Sequence, residues 1–311
     1  MSAPVRIAAF AVGLALLFTA ATVAGGAVDP DVDDGSGEHG MESEESAMNG
    51  HETMSADTEA LPGLATSQAG YRIAPAATTA PAGPRTPYEF TIVGPDGEPL
   101  TEYAVEHERR MHLIVVRRDF AGFQHVHPEL AADGTWSVAI DTRLPGTYRV
   151  LADFTTADEE SLTLGTDLSV PGRVDPKPLP MPEPAADADA GYEVTLASAE
   201  PEAGTATRLK FTVSRDGRPI EQVQPYLGAD GHLVVLREGD LAFLHAHPQG
   251  EPGGAGPVAF DVDYPSAGAY RLFLQFRHDG AVHTAAFTVI VGGEGATSVA
   301  GQNGTEANHG H

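Results

Sequence analysis

A hairpin-like stretch occurs twice in this chain, as MHLIVVRRDFAGFQHVHP at 111–128 and as GHLVVLREGDLAFLHAHP at 231–248. His112, His125 and His127 map onto His232, His245 and His247 at one constant offset. The agreement extends on both sides. YEFTIV (88–93) and its Asp-Gly turn match LKFTV (209–213) and Asp216-Gly217, and GTYRVLADF (146–154) matches GAYRLFLQF (268–276). A duplicated unit of about a hundred residues must fold the same way twice, and two copies are too few for a solenoid. Within each copy, short apolar runs are separated by Gly, Pro and Asp, and no helical period stands out. That texture predicts an all-β chain of two tandem immunoglobulin-like β-sandwich domains.

The remaining segments fall around these copies. Residues 1–28 include a charge-free apolar run from Ile7 to Val28 behind Arg6, which reads as a signal peptide or as an N-terminal membrane anchor helix. Both readings put the rest of the chain outside the cytoplasm. Residues 29–61 are acidic and contain no Lys or Arg, the composition of a disordered linker. Within it, His39, Met41, Met48, His51 and Met54 are either incidental or a loose collector for copper, whose reduced form takes thioether ligands. The first sandwich is assigned to 62–172, a Pro-rich linker to 173–188, the second sandwich to 189–292 and a disordered tail to 293–311.

Composition excludes several functions. The formal net charge of -26 argues against nucleic acid and against an anionic membrane surface as partners. The chain has no cysteine, which removes disulfides, thiolate metal sites and a cysteine nucleophile. No nucleophile elbow, phosphate loop or H-E-x-x-H helix is present, so the chain is expected not to be an enzyme. Asp141 and Asp261 sit at strand ends in both copies and read as turn caps.

The histidines carry the functional signal. If the loop of the first hairpin is 118–121, Arg117 faces Gly122, Ile114 faces His125 and His112 faces His127. Side chains alternate along a strand, so His112, His125 and His127 then share one face at the end away from the turn. Imidazoles so placed converge on a copper or zinc ion. The same count around 238–241 groups His232, His245 and His247. The expectation is one three-histidine site per sandwich. The alternative is that the histidines are the polar end of a core stripe that also carries Ile114, Val116 and Phe123, in a structural or interaction module. His107 is a weaker fourth ligand, because Leu227 replaces it in the second copy. Met111 is read as packing, His278 and His283 as surface histidines, and Asp230 as a turn residue.

HERRMHLIVVRRDFAGFQHVHPEL, YLGADGHLVVLREGDLAFLHAHP, and GAYRLFLQF followed by HTAAFTV resemble a group of secreted or membrane-anchored actinobacterial proteins. These have tandem immunoglobulin-like domains and are loosely labelled heavy-metal-associated. The resemblance covers roughly 62–291. It implies an extracytoplasmic location and a link to copper or other heavy-metal handling. A more distant similarity to periplasmic copper-resistance sandwiches transfers no ligand, since those lack the H…H-x-H-P hairpin. The reading is therefore an extracytoplasmic metal carrier or chaperone-like protein, copper first and zinc second. Its partners are metal ions and, through the N-terminal segment, a membrane; its protein partner is unknown.

Overall fold

The computed structural model describes residues 61–198 and 200–293. The readings of 1–28 as a leader or anchor and of the acidic stretch up to residue 60 fall outside these residues, as does the tail beyond 293. No helix among the described residues is long and apolar enough to cross a membrane.

The chain is all-β, as its sequence pattern predicts. The first repeat contains β1 (Ser67–Gln68), β2 (Tyr71–Pro75), β3 (Thr86–Val93), β4 (His112–Arg117), β5 (Gln124–Val126), β6 (Glu129–Leu130), β7 (Thr135–Ile140), β8 (Gly146–Thr155) and β9 (Ser161–Val170). The second contains β10 (Ala185–Asp187), β11 (Tyr192–Ser198), β12 (Ala206–Arg215), β13 (Arg218–Pro219), β14 (His232–Arg237), β15 (Phe243–Leu244), β16 (Ala246–Gln249), β17 (Val258–Asp263), β18 (Gly268–His278) and β19 (Ala281–Val291). In the first repeat one sheet runs β1-β2-β3-β7-β6 and the other β5-β4-β8-β9. The second repeat has the same plan, β10-β11-β12-β17-β16 facing β15-β14-β18-β19, with β13 paired to β12. In immunoglobulin terms β2-β3-β7-β6 and β11-β12-β17-β16 are A-B-E-D, each with an added edge strand (β1 or β10), and β5-β4-β8-β9 and β15-β14-β18-β19 are C′-C-F-G, so both repeats have the immunoglobulin-like topology.

The two kinds of sheet differ in what covers them. β3 and β12 alternate strictly, with Tyr88, Phe90 and Ile92 or Leu209, Phe211 and Val213 inward and polar residues outward. That is the signature of a sheet with one wet face. All six residues of β4 are buried. Leu113 and Val115 enter the core of the first sandwich, where Phe90, Trp136 and Tyr148 also lie. Ile114 and Val116 point the other way and join Leu151, Val234, Leu236, Phe243 and Phe273 in a separate apolar cluster drawn from both repeats. The two C′-C-F-G sheets therefore pack face to face, and the apolar runs of β4 and β14 are the sequence trace of that double burial. Phe123 stacks on Phe273 across the seam, with centroids 3.9 Å apart and planes 4° apart. The inter-repeat linker follows the same edge. Arg117 donates to the Asp175 carbonyl at 3.0 Å and the Lys177 amide to Asp119 at 2.8 Å, while Leu179 packs on the seam.

Residues 62–65 strap the repeats together. The Phe243 amide donates to Pro62 (2.9 Å), the Gly63 amide to Thr163 (2.8 Å) and the Gly165 amide to Ala65 (2.8 Å). Buried Arg149 donates to the carbonyls of Gly63 and Leu64 and to Asp167. This closeness requires glycine at 165, where a Cβ would lie 2.1 Å from the Gly63 oxygen and 2.4 Å from the Arg149 guanidinium. Gly165→Ala is expected to release the strap at a cost of about 1–3 kcal/mol. Limited proteolysis should then cut near residue 64 faster than in the native chain; unchanged cleavage and an unchanged melting temperature would contradict this.

Candidate functional site

The histidines gather at one end of the seam. The β4–β5 pairing places Ile114 opposite His125 and Leu113 opposite Val126, the register of a four-residue loop. His112 opens β4, His125 lies in β5, and His127 follows β5 just before Pro128. Their ring centroids are 5.2 Å (112–125), 5.0 Å (112–127) and 4.9 Å (125–127) apart. His232, which opens β14 in the other repeat, stacks 4.6 Å from His125 and 5.5 Å from His112. The donor atoms of His112, His125 and His232 all lie within 4.8 Å of one another. Nitrogens bound about 2 Å from one shared ion stand about 3–4 Å apart, so a small closure brings all three into ligating range.

With Gln275 placed so that its Oε1 faces His125, the hydrogen bonds assign which nitrogens are free. The Glu106 carbonyl can only accept, so His112 donates to it from Nε2 (3.1 Å) and keeps a lone pair on Nδ1. Gln275 presents Oε1, so His125 donates from Nδ1 (2.7 Å) and keeps a lone pair on Nε2. Those two lone-pair nitrogens face each other at 3.0 Å. Two neutral acceptors at that distance repel unless a cation, a further proton or a metal ion, serves both. Burial works against the proton. It pushes His125 down to about 3, aided by the neighbouring His112 and His127 and opposed by the Gln275 bond. His112 is lowered by burial against the Glu106 bond and the Asp153 charge. His232 is driven well down by burial and then by His125 and His112.

The seam has an approximate two-fold logic. In each repeat the first histidine of strand C pairs across to a polar residue of strand F, His112 with Asp153 and His232 with Gln275. His125 in C′ and His245, just after the C′ strand of the second repeat, then reach over the seam to the other repeat's strand F, His125 to Gln275 and His245 to Asp153 (3.2 Å). Asp153 also accepts from Thr163 at 2.7 Å. Burial raises the Asp153 carboxyl, but the bond and charge of His245 and the Thr163 bond outweigh it, and the net direction is down. His245 is lowered by burial, yet Asp153 more than offsets this and the net direction is up. The symmetry is thus broken into an all-imidazole half beside a neutral amide and a charged half built on a carboxylate.

Two expectations need correction. The second sandwich does not assemble its own triad. After Leu244 the chain leaves the C′ strand and joins the opposite sheet as β16, where exposed His247 pairs with Asp261 and stands away from the cluster. His245 is turned to Asp153, so only His232 of that trio joins the group. His127 is near the cluster but outside the group of converging donors; its buried Nε2 has no hydrogen-bond partner among the described residues, and burial, then His112 and Arg109, lower it to about 4. His107 is exposed on a tight turn, with its ring 6.0 Å from His112 and 5.9 Å from His232. Both His107 (φ 47°) and Glu108 (φ 64°) are left-handed there, a conformation that strains residues other than glycine. A cavity of about 100 Å³ beside His112 is lined by His107, Arg109, Arg110, Asp153 and His245.

The other sequence candidates have structural work. Met111 is buried in the first core. His278 bonds the Tyr192 hydroxyl at 2.7 Å, and His283, buried rather than on the surface, bonds Asp189 at 2.9 Å. Asp141 and Asp261 pair with Arg143 and Arg208, and Asp230 accepts from the Gly253 amide. Asp153 and Gln275 were missed from the sequence. Their signal was a polar residue at aligned positions in two otherwise apolar strand ends, LADF and FLQF.

Fold and cluster together define a tandem immunoglobulin-like chain whose repeats share one histidine group. The chain belongs to the family described as Domain of unknown function (DUF8832), which matches it twice, at 66–171 and 186–293. A comparison with curated proteins finds no match. Among solved structures, the chain is similar to the Escherichia coli adhesin FdeC, with 15% identity and a TM-score of 0.25, covering 73% of this chain and 65% of that one. It is also similar to the fibronectin(III)-like modules of Clostridium thermocellum CbhA (12% identity, TM-score 0.21, 77% and 99% covered). A third is the Yersinia pseudotuberculosis adhesin InvE (14%, TM-score 0.22, 71% and 58%). The chain thus spans less than two thirds of FdeC and of InvE, and likeness at this level carries no functional information.

Proposed function

We propose that this chain is a non-catalytic, extracytoplasmic module in which two sandwiches act as one body and hold a single transition-metal ion where they meet. Copper is the first cargo and zinc the second, because neutral imidazoles suit both. The observation that supports this reading most is the pair of facing lone pairs on His112 and His125, with the His232 donor beside them. A carrier role fits a site of three imidazoles flanked by a small cavity. The extracytoplasmic location rests on the charge-free segment from Ile7 to Val28. Through it, the chain is held at a membrane or exported.

A structural or interaction module is the second reading, and a specific observation favours it. The seam is apolar, and His112, His125 and His245 already have hydrogen-bond partners there. Metal challenge followed by desalting and elemental analysis separates the two. The native chain should retain one more equivalent of copper or zinc than the His112→Ala, His125→Ala double variant. Equal metal in the two chains, with both folded by circular dichroism, would leave the structural reading in place.

A further inference from the structure

We infer that the ion this site is built for is monovalent, cuprous copper, with silver(I) as its redox-inert equivalent. This rests on the metal-binding reading above and names its cargo. The groups that orient the ligands are the first reason. His125 is held by the Gln275 amide and His112 by a main-chain carbonyl, both uncharged. Carboxylates in that position raise the basicity of a ligating histidine and help to offset a divalent charge. A carboxylate was available to this fold, since the residue aligned with Gln275 in the first repeat is Asp153. The amide, however, is the one that meets the converging histidines.

Charge balance points the same way. The carboxylate acting on His112 and His125 is Asp153, which already holds His245, while Arg109 acts on His112 with the opposite sign. Asp153 is thus already committed, so positive charge on the ion is poorly compensated among these neighbours, and a single charge leaves the least to compensate. The cost of taking an ion out of water grows with the square of its charge, and His112 and His125 are only 3% and 9% exposed.

The test is equilibrium competition with silver(I) and with zinc(II) on the full chain, on His232→Ala and on Gln275→Glu. The increment that the native chain shows over His232→Ala measures this site, apart from other histidines and methionines. Silver(I) should be held more tightly than zinc(II) in that increment, by about tenfold or more, and Gln275→Glu should shift the ratio toward zinc by about tenfold. A site that holds zinc more tightly than silver overturns the inference and leaves the metal-binding reading intact. A ratio unmoved by Gln275→Glu also overturns it. If neither metal shows an increment over His232→Ala, both the inference and the reading beneath it fail.

Discussion

Phe273→Ala should weaken the chain by about 3–5 kcal/mol, and the loss should fall on the seam more than on either sandwich. Phe273 is only 4% exposed, yet it belongs to the inter-repeat cluster and to neither core. Its neighbours Leu272 and Leu274 point into the second core. Removing the ring leaves Phe123 without its stacking partner and opens a cavity beside Leu151, Val234 and Leu236, which belong to rigid strands and cannot collapse far. Urea melts should show an earlier transition for the variant. Amide exchange should rise in β4 and β14 before it rises in the outer sheets. A change below about 1 kcal/mol would mean that the sandwiches are stable without each other and that the seam contributes little.

Acid should undo the metal-free seam, and the sign follows from the direction of each shift. His112, His125, His127 and His232 are all lowered from 6.5 in the folded chain. The unfolded chain therefore binds more protons than the folded one below pH 6.5, and stability falls as the pH drops through that window. His125, at about 3, accounts for about 2 kcal/mol between pH 6.5 and pH 5, at about 1.4 kcal/mol per pH unit. The other three add in the same direction. His245 acts oppositely. Its folded value is raised by Asp153, so its stabilisation is complete below 6.5 and is lost as the pH rises through the raised value. Asp153 is lowered, so its share persists down to about 3.8 and is lost below. Melting temperature against pH should therefore peak near neutrality and fall steeply on the acid side. A flat profile from pH 7 to pH 5 would contradict the neutral state of these rings.

Much of the fold was legible. The alternation in YEFTIV and LKFTV marks sheets with one wet face, and the duplicated turns mark two sandwiches. The register of the β4–β5 hairpin followed from counting a four-residue loop. The seam was not legible for a physical reason. HLIVVR and HLVVLR are apolar on both faces, and nothing in such a run says whether the second face meets its own core or another domain. The stripe of Ile114 and Val116 below the histidines is an inter-repeat stripe, so the cluster recruits His232 from the other repeat. His127 and His247 occupy the same motif position, but the second repeat crosses to the opposite sheet sooner, beginning β16 at Ala246. A difference of that kind lies in strand length, which a conserved H-x-H-P does not record. Asp153 and Gln275 act through contacts 92 and 150 residues away in sequence, beyond any local pattern.

If the repeats hold one metal ion between them, metal stoichiometry in three single variants shows it most directly. Native chain, His232→Ala, His245→Ala and His247→Ala would be loaded with copper, desalted and assayed per mole of protein. His232→Ala should lose one equivalent, although it leaves every histidine of the first repeat in place. His247→Ala should lose none, and His245→Ala should keep the ion while losing the Asp153 contact. Full retention of metal in His232→Ala, or loss of a separate equivalent in His247→Ala, would contradict a shared site and restore one site per sandwich.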